Sequence, residues 1–582
     1  MIDIPRNEHP RPDFQRSAWR NLNGSWQFAI DSTKCGVEKG WHTGTDFPQE
    51  IVVPFCPESR LSGVGNTDFM GAVWYRRKFT LDEAMKGGRV LLHFGAVDYE
   101  ARVWVNGSEV AHHRGGYTPF SADITDVVGN SENEIVVYAI NDERSYTQPL
   151  GKQSDRLKSY GCSYTRTTGI WQTVWLEAVG NTYISGLTIW PNAANGCAGI
   201  EIDIMHPTPD LGLKAEALKD GKLIAGASLA NLAAKNALTL QIPEPVLWEP
   251  GKPFLYDLRL RITRNGDVVD EVSSYFGLRD VRIYGDRILI NGKSVFQRLV
   301  LDQGFWPDGI YTAASDDDLR ADIERSIAMG FNGARLHQKV FEPRALYWAD
   351  KLGYLIWGEF PDWGCEISKH SEARQNFYRE WVETVLRDRS HPSIVAWTPF
   401  NETGTHCGRY DAQLFREVYD LTKNLDPARP VVDTSGYTHV KTDIWDIHDY
   451  EQDPAKFAAD YDPFGTDPTS GNLKGWHPEP KPEYQGQPVV VSEYGGTWWN
   501  PAEADSKAWG YGDRPKSEGE FIERFTALTD VLLRNPHIAG LCYTQLTDVE
   551  QEVNGLYTFD RRPKFAPELL RKAMAKKAAI ED

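Results

Sequence analysis

From about residue 281 onward, short apolar runs alternate with helical stretches, and this rhythm constrains the fold more than any other feature of the chain. The runs are 295–302, 331–337, 354–360, 394–401, 430–435, 444–450, 488–494 and 538–545. Between them, 316–330 opens with three aspartates and closes on a glycine, the signs of a helix start and stop. The stretches 372–390 and 520–535 carry helical periodicity as well. Eight strand–helix units in about 300 residues predict a (β/α)8 TIM barrel over 281–582. The stretch 451–488, rich in Pro, Gly and Asp, follows the sixth run and is expected to be a long loop over the catalytic face.

Upstream the period changes to that of strands. Residues 1–180 hold short alternating runs broken by Gly, Asn and Asp, with a hairpin signal at Asn106-Gly107. They predict a sandwich or jelly roll. Residues 181–280 continue in strands, with a second hairpin signal at Asn265-Gly266, and suit an immunoglobulin-like sandwich.

Composition narrows the function. The chain has 63 Lys and Arg against 82 Asp and Glu, a net charge of −19, and no basic run. Nucleic acid and anionic membranes are therefore poor partners. Seven scattered cysteines without C-x-x-C pairs fit neither a zinc site nor a disulfide framework. The amino terminus lacks an apolar signal core and no run is long enough to span a bilayer, so a cytoplasmic protein is expected. No cofactor or metal is expected. Twenty Trp and twenty-five Tyr suit the flat faces of sugar rings, although composition alone favours aromatic-rich β cores as their explanation.

In a barrel, chemistry gathers at the carboxyl ends of the strands. The fourth run ends on Asn401 and Glu402, and the seventh on Glu493. Two carboxylates facing each other about 5 Å apart could protonate a leaving oxygen and attack an anomeric carbon. Like charges that close would keep one carboxyl protonated near neutral pH. Either Glu alone could equally cap a helix or pair with an Arg; both together, each after an apolar run, weaken that alternative.

Nearly the whole chain resembles glycoside hydrolase family 2, the β-galactosidases, β-glucuronidases and β-mannosidases. Segments 22–28, 53–59, 73–79, 92–107, 115–125 and 167–177 resemble its sugar-binding sandwich. Segments 247–258 and 275–281 resemble the end of its central domain. Asn401-Glu402 and the Ser-Glu-Tyr-Gly-Gly at 492–496 match its acid/base and nucleophile motifs, and 331–338 its second-strand motif. The resemblance implies a retaining exo-glycosidase with Glu402 as acid/base and Glu493 as nucleophile. It places Asn401 on the hydroxyl beside the anomeric carbon, and Arg335 and His337 at the sugar subsite. It puts Tyr450 near the nucleophile with His448 flanking it, and Tyr543 as an aromatic platform. Asp302, Trp306, Trp498 and Trp499 have suitable positions but could be loop packing.

Two departures bear on specificity. The Asn-x-Lys pair that binds the carboxylate in family β-glucuronidases is missing from 543–564, and Arg561, Arg562 and Lys564 read as surface charge. Residues 301–309 also differ from the first-strand pattern of the large β-galactosidases. A neutral β-galactoside is the default, with an arabinofuranoside or galactofuranoside as alternative and a uronide less favoured. A carbohydrate-binding protein on an inactive barrel is the reading from another class. The expected partner is a glycoside or oligosaccharide, and a homo-oligomer is compatible with the sequence.

Overall fold

The structure is a computed structural model describing residues 4–44, 46–404, 407–468, 483–500 and 507–581. Its first part is a pair of antiparallel sheets. A six-stranded sheet runs Gln49–Val53, Gly24–Ile30, Ala72–Phe79, Asn133–Ile140, Glu100–Val105, Ser108–Arg114, and a four-stranded sheet faces it. Val73, Tyr75, Val103, Val137 and Leu92 meet between the layers. The next part packs a three-stranded sheet on a four-stranded one. Its strand Cys197–Met205 buries every second residue, which puts Ile200 and Ile202 in a core with Leu213, Leu260 and Val272.

The barrel follows, with parallel strands at Gln297–Asp302, Gly333–Leu336, Leu355–Glu359, Ile394–Thr398, Trp445–Asp449, Val489–Tyr494 and Ile538–Tyr543. Seven of the eight expected runs thus form ladder strands. The fifth, 430–435, makes only isolated bridges to the fourth run, Trp397 to Val431 and Asn401 to Ser435. Pro430 cannot donate to a ladder, and the Asp433 carboxylate draws the chain into a turn by accepting from the Val440 and Lys441 amides. No helix follows this run. The others are followed by α1 (Asp316–Ala328), α2 (Pro343–Leu352), α3 (Ser371–Asp388), α4 (Ala412–Leu425), α5 (Pro454–Thr466), α6 (Glu518–Leu533) and α7 (Pro567–Met574). Ser315 closes a capping box on α1. The expected long loop after the sixth run begins instead as α5, capped by Asp453; its stretch 469–482 lies outside the described residues.

The first sandwich reaches into the barrel mouth. The amides of Leu150 and Gly151 donate to the Trp363 carbonyl at 2.8 and 3.2 Å. Gly151 has a φ of +59°, and a Cβ there would stand 2.1 Å from the Gln338 carbonyl oxygen, so only glycine permits this approach. The neighbouring Lys152 is thereby carried to the catalytic end of the barrel.

Candidate active site

Strand alternation sets the site. Arg335, third residue of its strand, points into the lumen, fully buried, and organises four neighbours. Its Nε donates to Glu359 at 2.5 Å, one terminal nitrogen to Asn401 Oδ1 at 2.5 Å, and the other to Glu493 at 3.1 Å and toward His448 Nε2 at 3.2 Å. The bond from Arg335 fixes the Asn401 amide and leaves its Nδ2 a buried donor with no acceptor among the described residues. Glu493 also accepts from the Tyr450 hydroxyl at 2.5 Å, and that hydroxyl lies 3.1 Å from Thr544. Tyr511 stacks flat on Tyr450, ring centres 3.5 Å apart.

Glu402 lies just past its strand with φ +48°, a left-handed turn that carries the carboxylate over the lumen. Its partner is His448, Nδ1 to Oε1 at 2.9 Å, with Tyr437 beside both. His448 Nε2 stands 3.4 Å from Glu493. One carboxylate oxygen of each Glu and a ring nitrogen of His448 all fall within 4.8 Å of one another, the spacing of a retaining pair. The same three groups are compact enough to hold a cation, but Arg335 and Tyr450 already occupy Glu493, so the set reads as a hydrogen-bonded relay.

The electrostatics differ from the like-charge expectation. Burial alone would raise the Glu402 pKa, but the bond and charge of His448, with Lys152 nearby, outweigh it and hold Glu402 down to about 2. Burial opposes charge on His448, yet Glu493 and Glu402 raise it. The two shifts put the shared proton of the His448–Glu402 pair on the imidazole side. His337, 3.0 Å from Glu359, is kept neutral by burial and by the cations of Lys152 and Arg335.

The structure brings together Glu402, Glu493, Asn401, Arg335, His337, His448 and Tyr450. It does not bring in Asp302 or Tyr543. The register pairs Leu301 with Arg335 and Asp302 with Leu336, so Asp302 turns outward. There it lines a cavity of about 30 Å³ between the strands and α1–α2, with Trp306 and the charged Asp322, Lys339 and Glu342, and burial lifts its pKa to about 6. Tyr543 likewise packs outward on Phe525 of α6, and Gly495 leaves room for its ring. Trp499 is buried against Phe521 and Phe565. Trp498 is half-buried at the rim, its amide donating to Tyr511.

Arg561 and Lys564 are not surface charges. Arg561 is buried over Trp306 and bonds Asp322, and Lys564 is buried on Asp548 at 2.6 Å; Arg562 alone is exposed. Sequence reasoning missed Glu359, Tyr437, Thr544, Lys152 and Glu552. Glu359 ends its strand as Glu493 nearly does and could have been found by that signal; Lys152, from another domain, left none.

Paired carboxylates at this spacing, delivered by the fourth and seventh runs of a barrel, are the arrangement of a retaining glycosidase. The chain belongs to the glycosyl hydrolases family 2: its sugar binding domain matches residues 19–176, the family's central domain 186–279, and its TIM barrel domain 281–578. The chain is 25% identical to a β-glucuronidase of Paenibacillus borealis, over 95% of this chain and 96% of that one. It is 27% identical to a β-galactosidase of Thermoanaerobacter pseudethanolicus, over 70% of this chain and 53% of that one. In fold it is similar to a β-glucuronidase from Ruminococcus gnavus solved in complex with D-glucuronic acid, with a TM-score of 0.80, 21% identity, and coverage of 98% and 100%. No helix among the described residues is long and apolar enough to cross a membrane.

Proposed function

We propose that this enzyme removes a terminal sugar by double displacement, with Glu493 as nucleophile and Glu402 as acid/base. The observation that carries the reading is the close approach of the two carboxylates, each with a different set of partners. Arg335 and Tyr450 hold the Glu493 carboxylate in a fixed orientation, so it can attack the anomeric carbon without reorganising. The glycosidic oxygen leaves with a proton from Glu402, and His448 supplies that proton to the carboxyl as the sugar displaces solvent around the pair. Water, deprotonated by Glu402, then releases the sugar with its configuration retained. The unpaired Nδ2 of Asn401 is a donor for a sugar hydroxyl, and its bond strengthens as charge develops at the ring.

The finer reading is a neutral glycoside, with a β-galactoside as default. It is supported by the missing Asn-x-Lys pair and by the commitment of Arg561 and Lys564 to Asp322 and Asp548. A mechanism-based 2-fluoroglycoside tests the chemistry. The expected result is a covalent adduct on the peptide carrying Glu493 and, with ordinary substrate, a first product of unchanged anomeric configuration by NMR. An inverted first product would overturn the double displacement.

A further inference from the structure

The mechanism leaves two buried charges at the barrel mouth unused. Lys152 comes from the first sandwich and is 5% exposed; Glu552 comes from the loop after the last barrel strand, Ile538–Tyr543, and is 3% exposed. A buried ammonium is costly unless a carboxylate or several acceptors receive it. Yet among the described residues no carboxylate lies within 4.0 Å of Lys152 Nζ. Its neighbours are soft: the face of Trp363, 4.0 Å away, and the thiol of Cys162. Trp363 in turn donates to the Asn401 carbonyl at 2.9 Å, so the ammonium stands beside the catalytic asparagine–glutamate segment.

Glu552 is held by Tyr164, whose hydroxyl donates to it at 2.6 Å, and by Asn554 at 3.0 Å. These bonds take one lone pair on each oxygen and leave others open. The amide of Tyr164 also donates to the Lys152 carbonyl, at 2.7 Å. One tyrosine therefore sets cation and carboxylate apart on a common frame. The two charges lie in each other's field and in that of Glu493, and Lys152 in that of Glu402 as well.

We propose that Lys152 and Glu552 form a specificity subsite for a neutral sugar, the ammonium donating to a sugar hydroxyl and the carboxylate accepting from one. Glu552 would meet a uronate carboxylate as a like charge, so the same subsite turns uronides away. The proposal rests on the assignment of Glu402 and Glu493 and deepens it to a substrate class. A spaced donor and acceptor pair fits a hydroxyl, which is both, better than an anion, which only accepts. A site built this way penalises any sugar lacking the group, because the open hydrogen-bonding positions of a buried ammonium and a buried carboxylate then go unfilled.

The test compares kcat/KM on aryl β-galactoside, β-glucoside, α-L-arabinofuranoside, β-galacturonide and β-glucuronide in the parent enzyme, Glu552→Gln, Lys152→Met and Lys152→Arg. The ratio of best neutral to best uronide substrate is internal to each variant, so a loss of folded protein cancels from it. The parent is expected to favour the neutral sugar by about 100-fold or more. Glu552→Gln should narrow that ratio by about tenfold or more, and Lys152→Met should weaken the neutral sugar far more than Lys152→Arg does. A parent that prefers uronides, or a ratio unmoved in Glu552→Gln, overturns the subsite. If that happens while Glu493→Ala still abolishes turnover on every substrate, the two-carboxylate reading stands and only the subsite falls.

Discussion

The two carboxylates end strands of the same barrel, yet their surroundings differ in kind. Glu493 is 4% exposed and is gripped by a fixed cation and a phenol, Arg335 and Tyr450. Glu402 sits on a left-handed residue, is more open, and touches a group that can itself carry the proton, His448. On the proposed assignment the difference separates two tasks. An attacking group gains from being held still and charged; an acid/base must gain and lose a proton in each cycle. The division arises from neighbours, since the side chains are identical.

Substitution of both residues probes the contrast most strongly. Glu493→Ala is expected to lower kcat/KM by roughly ten-thousand-fold or more. Azide should restore turnover there with an inverted glycosyl azide. Glu402→Ala should lose less rate on substrates with an activated leaving group, and azide should give a product of retained configuration. The same azide product from both variants would erase the distinction.

Next in size is the clamp. Arg335→Met strands Glu359 without its partner in the lumen, and breaking a buried pair in this way costs about 3–5 kcal/mol. Chemical denaturation should show that loss, with turnover falling alongside it. A variant as stable as the parent would mean that Glu359 finds another partner or a proton.

Tyr450→Phe removes one of the bonds on Glu493. A hydrogen bond to a charged group contributes about 1.5–3 kcal/mol, so kcat should fall roughly 10- to 100-fold with little change in melting temperature. An unchanged kcat would show that Arg335 alone holds Glu493.

The smallest effect is a shift along the pH axis. The His448–Glu402 pair titrates as a unit and keeps its proton until pH rises through the raised pKa of His448. In His448→Asn the proton must reside on a lone carboxyl, which gives it up at lower pH. The basic limb of kcat/KM should therefore move downward by about one pH unit or more. A limb that stays in place would remove His448 from proton supply and leave it as a positioning residue.

Much of this was legible because it is local. An apolar run followed by a carboxylate at its carboxyl end is a pattern within a few residues, and both Glu402 and Glu493 showed it. Two of the failures share a cause. A parallel strand buried on both faces carries no alternation between apolar and polar residues, so its sequence does not say which side chains face the lumen. Asp302 and Tyr543 had the right position along their strands and the wrong face. The fifth run read as a strand because its composition is one, whereas Pro430 and the Asp433 turn prevented the ladder. Arg561 and Lys564 looked like loop charges because their carboxylate partners, Asp322 and Asp548, meet them only when the chain folds.

The sequence by itself determined the three-part architecture and the pair of carboxylates, since strand period, helix signals and strand-end residues are properties of neighbouring positions. Only the tertiary structure decided what surrounds those carboxylates. Arg335 meets Glu493 across 158 positions, and Lys152 arrives from another domain because Gly151 lets two backbones touch. Such contacts depend on distance in space, and a linear pattern carries no record of it.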